Sequence, residues 1–288
     1  MSARTQQDVC CLMGDPIAGN PTQYMLEKAF AQADLDWRFL TFEVSKDDFA
    51  TALAGARVFD FRGVMLAPPH RGQVSSYLES VTDAARLAHQ VNCLSQHDGQ
   101  LRGHNTEGQA LRKLIGGSLT IPGLCATILG SGRLARSFAA ELALAGAARI
   151  ELVCIAPAQA EPLAAALRDD PQTATTEVRV TNWPSAGARI AVADDVRLLV
   201  NATPVGRHDG QAQLPLAIDL LPPELLVVDV VDNPPETRLV QEARRRGLRV
   251  VDGLTLLIEQ AALAFELWTA RQADREAMRE AVEEFLVL

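Results

Sequence analysis

Short runs of consecutive apolar residues punctuate the chain, and stretches with apolar positions three and four apart lie between them. In the first hundred residues the runs "VCCLMG", "WRFLTFEV" and "FRGVMLA" alternate with helical patterns near Thr22 to Ala33 and from Lys46 onward. That is the rhythm of an α/β fold. "VNCLSQ" and "QLRGHN" flank "HDG", and Asp-Gly supplies turn conformations that other residues resist, so this segment is expected to form a β-hairpin. From Ala126 the runs "ATIL", "RIELVC", "VRV", "RLLVNA", "LLVVDVV" and "RVVDG" follow, with helical patterns between most of them. They are continuously apolar rather than alternating, as strands buried on both faces of a parallel sheet are. The closing segment from Leu254 to Leu286 puts Ile258, Ala261, Ala262, Phe265 and Trp268 at helical spacing, a stripe expected to pack against a core rather than hold a cofactor.

The polar, glycine-bearing stretch "IGGSLTIPG", Ile115 to Gly123, is the expected domain boundary. Two domains suit 288 residues, since single cores stop growing near ~250 residues. The net charge of −9, with no Lys/Arg run interleaved with aromatics, argues against nucleic acid and for a small-molecule partner. Cys10, Cys11, Cys93, Cys125 and Cys154 are scattered without a CxxC spacing, so buried free thiols are expected and neither zinc nor another metal is implied. "MSARTQQDVCCLMGDP" lacks a basic region followed by an apolar core, and no apolar run approaches the ~18 residues of a membrane span. A soluble cytoplasmic protein without membrane partners is the expectation, with monomer or homodimer left open.

Chemistry first shows in "ATILGSGRLA", where Gly130, Ser131, Gly132, Arg133, Leu134 and Ala135 form a G-x-G-x-x-A loop directly after a strand and at the start of a helical pattern. The first glycine permits the tight turn, the second lets backbone approach a pyrophosphate, and the small third residue lets helix and strand pack closely. Dinucleotide binding is therefore expected, with NAD or NADP as cofactor. The residue that chooses between them is expected ~20 positions on, as an acid for a ribose hydroxyl or an arginine for a 2′-phosphate. The strand ends instead in Cys154-Ile155-Ala156, and "CIAPAQAEP" contains no base and one acid. Missing positive charge harms NADP more than a missing acid harms NAD, so the balance leans to NAD, with Arg133 as the candidate phosphate contact should NADP bind instead.

Six ordered motifs from about Gly14 to Thr269 carry a resemblance. "GDPIAGNPTQYMLEKAF", "FRGVMLAPPHR", "ESVTDAARLAHQVNC", "LRGHNTEG", "VNATPVG" and "DGLTLLIEQAALAFELWT" are together similar to the motif series of the shikimate/quinate dehydrogenase family. The resemblance implies an N-terminal α/β substrate domain, residues 1–114, completed by a returning C-terminal helix in 255–288, and a Rossmann-type doubly wound parallel-sheet nucleotide domain over 115–254, with the active site in a cleft. It implies substrate contacts at Asn20, Thr22, Asn92, Asn105 and Gln260, and nicotinamide-side contacts at Asn201, Thr203, Gly206 and Gly253.

The family's proton-handling Lys and Asp correspond here to Arg71 and Glu107. A guanidinium does not release its proton, so Arg71 is expected to stabilise a developing alkoxide while Glu107 accepts the proton. His70 is a second candidate base, set against a turn histidine that faces solvent or packs locally. Asn20 and Thr22 stand where the family has serines, Met65 and Ala67 where it has asparagine and threonine, and Asp232 where it has tyrosine. The reaction implied is hydride transfer between NAD(P) and a secondary alcohol on a small polyhydroxylated, cyclic acid. A non-redox enzyme acting on a related ring acid and a ligand or nucleotide sensor remain the alternatives.

Overall fold

The computed structural model describes residues 7–287; the first six residues of the stretch expected to lack an export signal lie outside them. The chain forms two units, residues 1–106 with 258–288, and residues 107–257.

The first unit holds six strands, β1 Asp8–Gly14, β2 Trp37–Glu43, β3 Gly63–Leu66, β4 Ser80–Val81, β5 Cys93–His97 and β6 Gln100–His104, in the order β2-β1-β3-β5-β6-β4. Strand β1 runs parallel to both β2 and β3, and helices α1 Thr22–Gln32, α2 Phe49–Val58 and α3 Asp83–Ala88 lie between strands. Strands β5 and β6 form the expected antiparallel hairpin. Its turn residues Asp98 and Gly99 have φ of 50° and 74°, the pair of left-handed conformations that Asp-Gly tolerates.

The second unit opens with α4 Thr106–Gly116, whose first residue belongs to the first unit, and continues through β7 Cys125–Leu129, α5 Arg133–Leu144, β8 Arg149–Cys154, α6 Pro157–Asp169, β9 Glu177–Asn182, β10 Leu198–Asn201, β11 Leu226–Asp229, α7 Arg238–Arg245 and β12 Arg249–Val251. The division thus falls at the head of α4, a few residues before the glycine-bearing stretch Ile115–Gly123. All neighbouring strands are parallel, in the order β9-β8-β7-β10-β11-β12. This is the doubly wound dinucleotide-binding order, with its switch point between β7 and β10, where ligands meet the carboxyl ends of the strands.

The closing segment is two helices rather than one, α8 Gly253–Thr269 and α9 Arg275–Val287. The break lies at Ala270, with φ 54°, and α9 restarts where Asp274 accepts the Glu276 and Ala277 N–H groups at 3.1 and 3.0 Å. The stripe Ile258, Ala261, Ala262, Phe265 and Trp268 is buried in full. Phe265 lies 5.5 Å from Phe30 and Trp268 stacks at 6.2 Å on Phe39, while the indole N–H reaches the Leu94 carbonyl at 2.9 Å. A β-carbon on Gly63 would sit 2.0 Å from that indole nitrogen, so the glycine is the slot the tryptophan fills. Among the described residues no helix is long and apolar enough to cross a membrane, and no cluster of His, Cys, Asp and Glu could hold a metal.

Candidate active site

At the carboxyl ends of β1 and β3 the backbone draws two loops together. The Asp15 N–H donates to the Pro68 carbonyl at 2.9 Å, and a β-carbon on Gly14 would lie 2.6 Å from that of Ala67. A chain of bonds then runs through the substrate-side candidates. The Leu66 N–H donates to the Asn92 carbonyl at 2.8 Å, the Arg71 Nε–H donates to the Leu66 carbonyl, and the Val91 N–H donates to the Arg71 carbonyl at 3.0 Å. Both ends of the Asn92 carboxamide hold Thr106, with Nδ2 at 2.9 Å from its hydroxyl and Oδ1 at 2.8 Å from its N–H. Asn92 therefore holds Thr106, the last residue of the first unit.

Asn105 donates to the Gln90 carbonyl at 3.2 Å. Asn20 accepts the Thr22 N–H at 3.0 Å where α1 begins, which puts these two candidates in one turn. Gln260 is half-buried on α8. Met65 and Ala67 are buried and bring apolar surface to the strand end.

His70 turns inward from its turn. Its ring is fully buried, stacked 4.2 Å from Phe49 at an interplanar angle of 8°, with Nε2 bonded to the Val44 carbonyl at 2.8 Å and Nδ1 facing the Gln73 amide at 3.4 Å. Packing and local bonds occupy the imidazole, the arrangement of a turn histidine that packs locally rather than that of the second candidate base.

In the second unit, Glu107 occupies the first turn of α4 with 3% exposure. A β-carbon on the next residue, Gly108, would lie 2.7 Å from the Ser137 carbonyl oxygen, so α4 and α5 meet there backbone to backbone. That approach sets Arg133, the first residue of α5, beside Glu107, with Nε 3.6 Å from Oε1. Further along the same two helices Arg112 meets the buried Glu141 at 2.9 Å, where burial raises the carboxyl pKa and Arg112 opposes the rise.

The Gly130–Ala135 loop turns tightly between β7 and α5. Gly130 takes φ 110°, a region closed to most side chains, and a β-carbon there would lie 3.0 Å from the Ala202 carbonyl oxygen. Around Gly132 nothing lies within 4 Å of where a β-carbon would be, and the Arg133 Nε is buried without an acceptor in hydrogen-bonding range. An open cradle and a helix amino end fit a pyrophosphate. At the ribose side the match is thinner: Cys154 is buried, Ile155 is 82% exposed, and neither can read a ribose substituent.

The Asn201–Gly206 loop, expected on the nicotinamide side, rests on a buried network that sequence reasoning missed. Asp229, fully buried at the end of β11, accepts Asn201 Nδ2 at 2.9 Å, the Thr237 hydroxyl at 2.6 Å and the Val231 N–H at 3.2 Å. Burial raises its pKa while those donors hold it down. Asn201 Oδ1 in turn accepts the Thr203 hydroxyl and N–H at 2.6 and 3.1 Å, and Gly206 packs against Thr237. An acid inside the otherwise apolar "LLVVDVV" was the available signal. Gly253 leaves no room for a side chain, since a β-carbon would fall 2.2 Å from the Val231 backbone. Asp232, at the position noted for its acid, lies 3.5 Å from Arg207.

A doubly wound sheet, a glycine-rich loop at its switch point and a separate α/β unit carrying polar candidates define a dinucleotide-binding protein of the two-domain dehydrogenase type. A family model described as the shikimate dehydrogenase substrate binding domain matches residues 12–94, and one described as the shikimate 5'-dehydrogenase C-terminal domain matches 253–283. Shikimate dehydrogenase (NADP(+)) of Symbiobacterium thermophilum is 36% identical over 94% of this chain and 92% of its own. The chain belongs to the shikimate dehydrogenase family. Among solved structures, the ligand-free 5-ketofructose reductase of a Gluconobacter strain superposes with TM-score 0.92 at 32% identity, covering 97% of this chain and 99% of that one. Shikimate 5-dehydrogenase of Listeria monocytogenes, in complex with shikimate and NAD, superposes with TM-score 0.87 at 28% identity over 98% and 99%. The relatives from Symbiobacterium, Desulforamulus reducens and Moorella thermoacetica are all named as NADP(+) enzymes, so the lean to NAD finds no support among them.

Proposed function

We propose that the protein is an oxidoreductase that moves a hydride between a nicotinamide dinucleotide and a secondary alcohol of a small polyhydroxylated, cyclic acid of the shikimate and quinate type. The observation that supports this most is the buried carboxylate of Glu107 in the first turn of α4, in a chain whose Gly130–Ala135 loop keeps the pyrophosphate cradle. The loop and the Asn201–Gly206 turn would hold the cofactor, which when bound supplies the hydride acceptor. Glu107 takes the hydroxyl proton, and Arg71 offers a fixed positive charge to the alkoxide oxygen. We take NADP as the working cofactor on the names of the relatives, although β8 ends without a base for its 2′-phosphate.

A second reading, a neutral ketose or polyol as substrate, is favoured by the likeness to the Gluconobacter reductase and by the buried apolar pair Met65 and Ala67 at the end of β3. One assay tests both: purified protein with NAD and with NADP against shikimate, quinate and the product of ketofructose reduction, followed by absorbance of the reduced nicotinamide. Turnover of the ring acids is the expected result, and turnover of the ketose pair alone selects the second reading. Cofactor binding without turnover on any of them overturns both in favour of a sensor. Absence of cofactor binding points to non-redox chemistry.

A further inference from the structure

Arg133 has two possible employers, the cofactor and Glu107. We propose that it is a positioning residue, holding the Glu107 carboxylate in place from the head of α5, and that it is not the anchor of a cofactor 2′-phosphate. This rests on the assignment of Glu107 as proton acceptor in the proposed function.

The geometry begins with Gly108. Backbone contact with Ser137 brings the first turns of α4 and α5 closer than any side chain at 108 would allow, and the Arg133 Nε comes to 3.6 Å from Glu107 Oε1 as a result. A carboxylate with 3% exposure has lost most of its hydration, and an opposite charge within a few ångströms offsets part of that loss. The Arg133 Nε is itself buried with no acceptor in hydrogen-bonding range, so the pair stands just short of a charge-assisted bond and a small movement of either side chain closes it. A guanidinium whose charge is matched by Glu107 has little left to offer a 2′-phosphate.

The two helices carry a built-in control. Arg112 on α4 and Glu141 on α5 form a second ion pair at 2.9 Å, with the charges exchanged between the helices. If Arg133 only glued α4 to α5, losing Arg112 would have the same effects as losing Arg133.

The test compares Arg133→Gln, Arg133→Lys, Arg112→Gln, Glu107→Gln and the Glu107→Gln/Arg133→Gln double variant in the full-length protein. NAD and NADP are titrated separately by calorimetry without substrate, and kcat is measured on whichever substrate turns over. Arg133→Gln is expected to lower kcat by about 10- to 100-fold, the range expected when a reacting group is displaced by roughly an ångström, while the Kd of each cofactor changes less than about threefold, within the scatter of an exposed contact. Arg133→Lys recovers part of the loss, Arg112→Gln leaves kcat alone, and Arg133→Gln adds nothing to Glu107→Gln. A selective loss of NADP binding with kcat retained overturns the proposal, and so does a full multiplicative effect in the double variant. Should no substrate turn over, the functional reading fails on its own, and the link is judged by thermal unfolding of the same cycle. Additive shifts in Tm there overturn it, and a double variant no less stable than Arg133→Gln alone upholds it.

Discussion

Glu107 and a glutamine in its place have nearly the same shape and differ in one capacity, that of accepting a proton as an anion. Glu107→Gln is expected to keep cofactor affinity and to lower kcat by a factor on the order of 10² to 10⁴, the usual weight of general acid/base help. Near-normal turnover, measured on the same preparation that binds cofactor normally, removes Glu107 from the chemistry. The residue itself was legible in "LRGHNTEG", and so was Arg71 beside a histidine. What each of them touches was not. His70 and Arg71 are neighbours in sequence, yet one ring is stacked on Phe49 and bonded to Val44 while the other side chain bonds back to Leu66. Only the fold of the turn decides which of two adjacent polar residues goes inward.

Gly108 shows how an element is placed by the absence of atoms. Gly108→Ala would set a β-carbon 2.7 Å from the Ser137 carbonyl oxygen, a backbone atom that cannot swing aside, and overpacking of this kind typically costs about 1–3 kcal/mol. We expect a lowered Tm together with a drop in kcat, because the helix that moves carries Glu107; circular dichroism melts beside steady-state kinetics check both, and a loss of stability with unchanged kcat would mean that α5 yields instead. Most elements could be read in advance. Continuously apolar runs mark β7, β10 and β11, which are buried along nearly their whole length, and Asp-Gly marks the β5–β6 turn. The division of the last segment into α8 and α9 was also written there, as Asp274 followed by Arg-Glu-Ala is a helix start, but the apolar periodicity on either side masks it. Contacts between distant segments escaped. Glu107 with Arg133, and Asp229 with Asn201 and Thr237, depend on how helices and strands approach, which spacing along one element does not encode.

Stability of the molecule should respond to acid through a buried histidine three residues before Glu107. His104 is buried in the β5–β6 hairpin, its Nε2 2.9 Å from the Ser95 hydroxyl, and its pKa is pushed down to about 4, first by burial and then by the positive charges of Arg102 and His97. Its ordinary value lies near 6.5. Between those two values the unfolded chain binds a proton that the folded chain refuses, so stability falls as pH drops from about 6.5 to about 4 and this contribution levels off below. The full effect is about 3 kcal/mol. Denaturant unfolding across that range should show a shallower pH slope for His104→Gln than for the parent protein, and equal slopes would refute the assignment.

The second unit is an insertion, since residues on both sides of it, 1–106 and 258–288, make up the first. A ribosome therefore delivers the β1–β6 sheet long before the helix that completes its core. Until Trp268 emerges, the slot at Gly63 stays open and Phe30 and Phe39 lack the partners they have in the finished fold, while the inserted unit already has its whole sheet. For most of its synthesis the nascent chain leaves the first unit's core without its closing helix, so the first unit, though first to be made, is the last to be finished.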